Sequence, residues 1–334
     1  MNHPMTLLLV GAGKFGRHYT RILSRMGPPS MPKPAAVHRL VLTCTSREKA
    51  GETATNLAKD PSCKADIIGE RVDNGAALTA VLERHRPDIT FIAAKDPTLG
   101  NRIHAEYSLQ TLSFGSRVLC EKPFSEAQGN GVSLAEAARL IPFDTSGAFG
   151  LELPFAAVRK QMNEKLQWET LFLNLGSIQF FWGTRAPIGT DLFNELAPHP
   201  WSLIPDPWQM EQIRTEQTET TAEAVGILRH DSLGRTMDFR ITLSKENRFR
   251  GFRSDNRCFS FRPFRNTVQL IELDASIKTA TSLDPSLWPG KVLLEADNPL
   301  RQNILASILG EPITGVRRTV QSQLFLEMLQ GYRP

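Results

Sequence analysis

The sequence predicts an α/β protein in two parts: a doubly wound parallel sheet, then an α+β half built on an open, mostly antiparallel sheet. Three observations carry this expectation. Short apolar runs alternate with helix-period segments over residues 1–152, the pattern of repeated βαβ units. Strand-period segments then succeed one another with few helices between them as far as residue 273, which favours antiparallel pairing. Helical spacing of apolar residues returns only at 300–309 and 319–330.

The elements follow in order. Residues 6–10 are a continuous apolar run ending in glycines, as expected of a strand covered on both faces. Tyr19, Ile22, Leu23 and Met26 fall at helical spacing over 17–26, and Gly27-Pro28-Pro29 ends that segment. A Pro-rich loop spans 28–34, then 37–45 reads as the second strand and 52–58 as a short helix. Residues 75–84 place Leu78, Val81 and Leu82 on one helical face, 88–94 form the next buried strand, 102–112 a helix, and 116–120 another strand. Ser133 and Glu136 form a capping-box pattern that opens a helix to about residue 140, and 147–153 would be the last strand of this half. In the second half, 171–182, 222–230, 236–244, 257–261 and 268–273 read as strands, with a turn at 231–235 containing Gly234. The expected domains are therefore 1–152 and 153–334.

Composition narrows the function classes. The chain has 334 residues, 41% hydrophobic and 22% charged, with a net charge of +4. Those values exclude global disorder and fibrous proteins, and the mild charge calls for no polyanionic partner. The run Leu7-Leu8-Leu9-Val10 is far short of the roughly 20 residues that cross a bilayer. No basic segment precedes it and no small-residue cleavage site closes it, so no secretory signal is expected. Cys44, Cys63, Cys120 and Cys258 lie far apart without a C-x-x-C pair. They read as reduced thiols in a cytoplasmic protein, with no disulfide framework and no metal site.

The first chemical motif is Gly11-Ala12-Gly13-Lys14-Phe15-Gly16, a G-x-G-x-x-G between a strand and a helix. Gly11 permits a tight turn, Gly13 close approach of backbone to a pyrophosphate, and Gly16 helix–strand packing, while the helix N-terminus offers free N–H groups to phosphates. Lys14 and Phe15 complete the loop as candidate cofactor-binding residues. Where the second strand ends, Thr43-Cys44-Thr45-Ser46-Arg47 replaces the acidic residue suited to a ribose 2′-hydroxyl. A hydroxyl and a guanidinium at Ser46 and Arg47 suit a 2′-phosphate, so NADP is favoured over NAD, with Arg47 as a solvated loop residue the alternative. Cys120-Glu121-Lys122-Pro123 closes a parallel strand at its carboxyl end, where open α/β sheets bind ligands, so Glu121 and Lys122 are placed to meet the cofactor.

These motifs, with DITFIAAKDPTLGNRIHAEYSLQTL and VLCEKPFSEA, resemble the glucose–fructose oxidoreductase/inositol dehydrogenase (GFO/IDH/MocA) family. The tail from Gln302 to Thr314 is similar to that family's closing helix and turn. The resemblance implies an N-terminal Rossmann domain and NAD(P)-dependent hydride transfer on a sugar, cyclitol or related carbonyl compound. It also implies a second-domain motif, an acidic residue followed four later by His. Glu195-Leu196-Ala197-Pro198-His199 matches it, with Glu where Asp is more usual. Lys122 and His199 are then the catalytic candidates. Imidazole serves as a base for the hydroxyl proton and the lysine cation holds the substrate oxygen, with Glu195 in support. Pro198 and Pro200 flank the histidine, which places it at a helix edge or turn.

Asp96 and His104 follow the fourth strand and stand near the cofactor by the same resemblance, with helix capping or packing the alternative for His104. The interleaved Arg and Phe residues of 248–265 read as an amphipathic strand pair, Phe packed and Arg solvated, rather than as a nucleic-acid platform. Trp182, Trp201 and Trp208 read as core, with stacking on a sugar the alternative. The expected partner is a small-molecule substrate, with a homo-oligomer formed through the antiparallel sheet. A second reading, in a different class, is a dinucleotide-binding sensor of the same fold without catalysis.

Overall fold

A computed structural model describes residues 4–13, 16–26, 37–63, 65–95, 100–184, 191–246, 248–264, 266–274 and 289–333. Its first sheet is formed by β1 (Met5–Val10), β2 (Val37–Cys44), β3 (Asp66–Arg71), β4 (Ile89–Ile92), β5 (Arg117–Glu121) and β6 (Phe149–Glu152). They lie in the order β3-β2-β1-β4-β5-β6, each pair parallel. Helices α1 (Gly16–Leu23), α2 (Arg47–Ala58), α3 (Gly75–His85), α4 (Ile103–Ser113) and α5 (Val132–Ala138) follow the successive strands. Leu7, Leu8 and Leu9 are each 0% exposed. A strand covered on both faces has no solvent side, so it reads as a run rather than an alternation. The strand order reverses between β1 and β4, opening the crevice at their carboxyl ends where such sheets receive ligands. This is the expected doubly wound sheet.

The second sheet runs β14-β13-β12-β11-β7-β10-β9-β8. The chain reaches it through α6 (Pro154–Leu166), α7 (Trp168–Leu173), β7 (Ser177–Gly183), α8 (Leu192–Leu196) and α9 (Pro198–Trp201). It then continues through β8 (Trp208–Gln217), β9 (Thr221–His230), β10 (Thr236–Ser244), β11 (Arg250–Ser254), β12 (Arg257–Phe264), β13 (Thr267–Leu273) and β14 (Gly290–Asp297). All neighbours pair antiparallel except β7 with β10. Trp182, Trp201, Trp208, Phe180, Phe239, Phe252 and Phe325 are buried in one aromatic-rich core. The tryptophans are therefore core residues, and the Phe residues at 252, 259 and 261 pack inward as an amphipathic strand pair requires. Helices α10 (Pro299–Ile308) and α11 (Val316–Leu329) close the chain.

Three expectations need correction. Residues 171–173 belong to α7 and not to a strand, and β7 begins only at Ser177. The helix is anchored by the Trp168 indole N–H, which donates to the Leu203 carbonyl at 2.9 Å. The capping box is absent: Ser133 lies inside α5, and its hydroxyl donates to Glu327 Oε1 at 2.6 Å. Helix α2 starts five residues before the expected position 52, at Arg47, because Ser46 takes the extended N-cap conformation and its Oγ accepts from the Lys49 N–H at 3.3 Å.

The chain forms two compact units, one of Met1–Glu126, Ala135–Glu152 and Asn303–Val320, the other of Ala127–Leu134, Leu153–Gln302 and Gln321–Pro334. The carboxyl-terminal segment 303–320 thus packs with the parallel sheet. Arg117 Nη1 donates to the Ser307 and Ile308 carbonyls at 3.1 and 3.0 Å, and the Leu151 N–H donates to the Thr314 carbonyl at 2.9 Å.

Candidate functional site

The glycine turn sits at the end of β1. Gly11 adopts φ +94°, and a Cβ there would lie 2.5 Å from the Ala94 Cα. Gly16 opens α1, and a Cβ there would lie 2.1 Å from the Gly11 carbonyl oxygen. At Gly13 an added Cβ meets no atom of the described residues within 4 Å. The first and third glycines thus answer to packing, while the second faces open space above the turn. That space, bounded by the first turn of α1, fits a dinucleotide pyrophosphate. The turn is tied to β2 by the Ala12 N–H, which donates to the Thr43 carbonyl at 2.8 Å, and by the Gly11 N–H, which donates to Thr43 Oγ1 at 3.3 Å. Ser46 caps α2 just beyond β2, and Arg47 is the exposed first residue of that helix. No carboxylate ends β2. Lys14, Phe15 and Asp96, and the Pro-rich loop 28–34, lie outside the described residues.

At the carboxyl end of β5, Lys122 is half-buried and joined to Pro123 by a cis peptide. Two residues hold this loop and its strand. His104 on α4 is 2% exposed, and its Nδ1–H donates to the Pro123 carbonyl at 2.8 Å. Burial lowers the His104 pKa, against the opposing pull of the Pro123 and Ala94 carbonyls. The structure therefore places this imidazole behind the Lys122–Pro123 loop. Glu121 turns its carboxylate into the unit, where Oε2 accepts from the Tyr19 hydroxyl at 2.8 Å.

Glu121 has a neighbour that sequence reasoning missed. Glu152 is its register partner on β6 and is 1% exposed, with Oε1 accepting from Asn303 Nδ2 at 3.0 Å. Glu152 Oε2 is buried and has no hydrogen bond among the described residues. Burial, reinforced by the Glu121 charge, pushes the Glu152 carboxyl well above the usual carboxylate range, with Asn303 and Lys122 pulling weakly the other way. Burial and Glu121 likewise push Tyr19 up. A readable signal existed: a lone Glu in the otherwise apolar Phe149-Gly150-Leu151-Glu152-Leu153 has no solvent face to occupy in such a strand.

In the second unit, Asp191 caps α8, with Oδ1 accepting from the N–H groups of Phe193 at 2.9 Å and Asn194 at 3.1 Å. Asn194 is buried, and its amide pairs with both backbone groups of Ala127 at 2.9 and 3.0 Å. Glu195 is half-buried on α8, and His199 is the second residue of α9. The prolines do not prevent that helix, because Pro198 and Pro200 fall at its first and third positions, where N–H groups have no intrahelical acceptor. The His199 ring stacks on Trp182, centroids 5.6 Å apart and 16° between planes, and Phe155 meets it edge-on at 6.1 Å. Ser202 Oγ donates to the His199 carbonyl at 2.6 Å and fixes the short helix.

A groove of about 740 Å³ lined by Leu82, Arg86, Asp88, Phe114 and Arg117 lies at the amino ends of β4 and β5. That is the edge opposite the glycine turn, so it is not the dinucleotide site. Among the described residues no helix is long and apolar enough to cross a membrane, and no three His, Cys, Asp or Glu side chains gather as a metal-binding group.

Residues 5–141 match the sequence model of GFO_IDH_MocA, an oxidoreductase family with an NAD-binding Rossmann fold. Over that segment, which is less than half of the chain, the protein is similar to the GFO/IDH/MocA family. No curated protein matches the sequence. Solved structures share the fold across nearly the whole chain. UDP-N-acetylglucosamine 3-dehydrogenase GnnA from Acidithiobacillus ferrooxidans is 15% identical with a TM-score of 0.64, covering 98% of this chain and 99% of that one. Levoglucosan dehydrogenase in complex with NADH is 12% identical with a TM-score of 0.66, covering 98% and 96%. An oxidoreductase domain protein from Kribbella flavida is 14% identical with a TM-score of 0.66, also covering 98% and 96%. At these identities the likeness is one of fold.

Proposed function

We propose that this chain is an NAD(P)-dependent oxidoreductase acting on a CH–OH group, or the corresponding carbonyl, of a sugar, cyclitol or related compound. The observation that carries the reading is the glycine turn, packed tight at Gly11 and Gly16 and open at Gly13. Two of the similar structures are named as dehydrogenases of UDP-N-acetylglucosamine and levoglucosan, which supports a sugar-like substrate. When bound, the coenzyme supplies the hydride acceptor or donor. The N–H groups of the turn and the first turn of α1 hold its pyrophosphate. Lys122, from the end of β5, holds the substrate oxygen and favours loss of its proton. His199 takes that proton as the base, and Glu195 on the preceding helix supports it. His104 acts through the Pro123 carbonyl, keeping the Lys122 loop in place. Ser46 and Arg47 favour NADP over NAD, because their hydroxyl and guanidinium suit a 2′-phosphate.

The stacking of His199 on Trp182 also suits the sensor reading, in which the imidazole is a packed side chain. Binding and turnover separate the two. Lys122→Ala and His199→Ala are each expected to cut kcat by about a hundredfold or more, the usual scale for an acid–base group, while leaving NADPH affinity within about twofold. A chain that binds the coenzyme but oxidises or reduces nothing in a panel of sugars, cyclitols and keto compounds is a sensor. Arg47→Asp is expected to weaken NADPH binding by about tenfold or more and NADH binding far less, read by calorimetric titration. Equal losses for the two coenzymes would remove the NADP assignment.

A further inference from the structure

Three arginines of the second sheet pair with carboxylates on neighbouring strands and, among the described residues, Arg250 does not. Arg257 pairs with Glu272 at 2.7 Å, Arg240 with Glu223 at 3.0 Å and Arg229 with Glu211 at 3.6 Å, all with exposed guanidinium groups. Arg250 is half-buried and forms no salt bridge among the described residues; its Nε donates to the Gly183 carbonyl at 3.4 Å. The charged neighbour that bears on it is Arg248, of the same sign, and burial with that repulsion pulls its pKa down. A buried cation without a counter-charge is costly unless something else supplies one.

The register shows where Arg250 stands. It is opposite Trp182 on β7, just as Phe252 is opposite Phe180. On β12, Gly251 is opposite Ser260, so the next pair in that register is Arg250 with Phe261. Opposed residues share a face of the sheet, and Trp182 and Phe261 belong to the buried core. Arg250 therefore rises on the covered face between those two rings. Trp182 is the ring on which His199 stacks, while Phe155 lies 5.1 Å from Phe261 and 6.1 Å from His199.

We propose that Arg250 is an anion subsite beside His199, holding a carboxylate or phosphate group carried by the substrate. The proposal rests on the reading of His199 as part of the substrate site, and it narrows that substrate to an acidic one, a sugar acid or a sugar phosphate. With Nε engaged by Gly183, the two Nη groups form a fork suited to two oxygens of one oxyanion. The flanking aromatic rings offer apolar faces to the rest of the molecule.

The test reads binding rather than turnover. Inorganic phosphate, or acetate, is titrated into the NADPH-loaded protein at ionic strength held constant with chloride, followed by tryptophan fluorescence. NADPH at saturation already supplies the phosphates of the glycine turn and the 2′-phosphate proposed for Ser46 and Arg47. The wild type is expected to bind at least one of the two anions saturably, phosphate marking a phosphorylated substrate and acetate a carboxylated one. Arg250→Gln is expected to weaken that binding by about tenfold or more, the usual scale for a charge-assisted pair. Should that variant fail to fold, Arg250→Lys, which keeps the charge and loses the fork, is expected to bind about three- to tenfold more weakly than wild type. No saturable anion binding in the wild type overturns the proposal, as does undiminished affinity in Arg250→Gln or, if only it folds, in Arg250→Lys. Dehydrogenase activity on neutral sugars alongside that negative result would leave the oxidoreductase reading standing.

Discussion

Gly13 and Gly16 belong to one motif and answer to different constraints. A side chain at Gly16 collides with the Gly11 carbonyl, whereas one at Gly13 meets nothing among the described residues within 4 Å and occupies the space offered to a pyrophosphate. Gly16→Ala is therefore expected to cost about 1–3 kcal/mol or more in stability, the scale of overpacking, and to lower the melting temperature. Gly13→Val is expected to leave the melting temperature nearly unchanged while abolishing detectable coenzyme binding in a titration. A Gly13→Val protein that binds NAD(P)H normally would show that the open space is not the phosphate site. Such local chemistry was legible in the sequence: the glycine spacing and Lys122 at a strand end each depend on a few adjacent residues. The Glu152–Glu121–Tyr19 cluster was not, because its members lie on three elements and meet only through the β5–β6 register and the packing of α1.

At the scale of elements, the strands inside the parallel sheet were readable because continuous burial leaves continuous apolar runs. Of the edge strands, β6 is buried throughout and was readable, whereas β3 and β8 were not. β3 keeps both terminal residues exposed, and β8 shows a mostly exposed polar face from Glu211 to Gln217. An edge strand exposed in this way buries too little side chain to leave a hydrophobic signature. The start of α5 shows a second limit. Its cap comes from Glu327 on α11, which is 0% exposed. The Glu327 carboxylate accepts from the N–H groups of Gly131 at 3.1 Å and Ser133 at 3.2 Å, and from the Ser133 hydroxyl at 2.6 Å. A carboxylate nearly two hundred residues away, |i−j| = 194 from Ser133, satisfies these donors where the local Ser–Glu spacing had suggested Glu136. Glu327→Ala should strand those buried donors and lower the unfolding free energy by about 2–4 kcal/mol, more than Ser133→Ala, which removes one neutral donor and costs about 1 kcal/mol. Denaturant melts of the two variants check the ranking, and equal losses would mean that the carboxylate is not the cap.

For the whole molecule, the groups buried behind Lys122 give stability a pH dependence whose sign can be worked out. Glu152 has its folded pKa raised by burial and by Glu121. Above the unfolded value of about 4.3 the unfolded chain releases this proton while the folded chain keeps it. Its contribution is thus fully present below about pH 4.3 and lost as pH rises towards the folded pKa, at up to about 1.4 kcal/mol per pH unit. His104 has the opposite sign, because burial lowers its folded pKa. Its contribution is present above about pH 6.5 and lost as pH falls through the folded value, since the unfolded chain takes up a proton that the buried ring refuses. Alkaline conditions therefore work against the fold through Glu152 and acid conditions through His104. Glu152→Gln keeps the shape and an acceptor for Asn303 but has no proton to lose. Its stability relative to wild type should rise as pH increases above about 4.3 towards the folded pKa of Glu152, measured by denaturant unfolding at each pH. A difference that stays constant over that range would mean that Glu152 is ionised in the folded protein, and that the carboxyl pair beside Lys122 carries two charges instead of one.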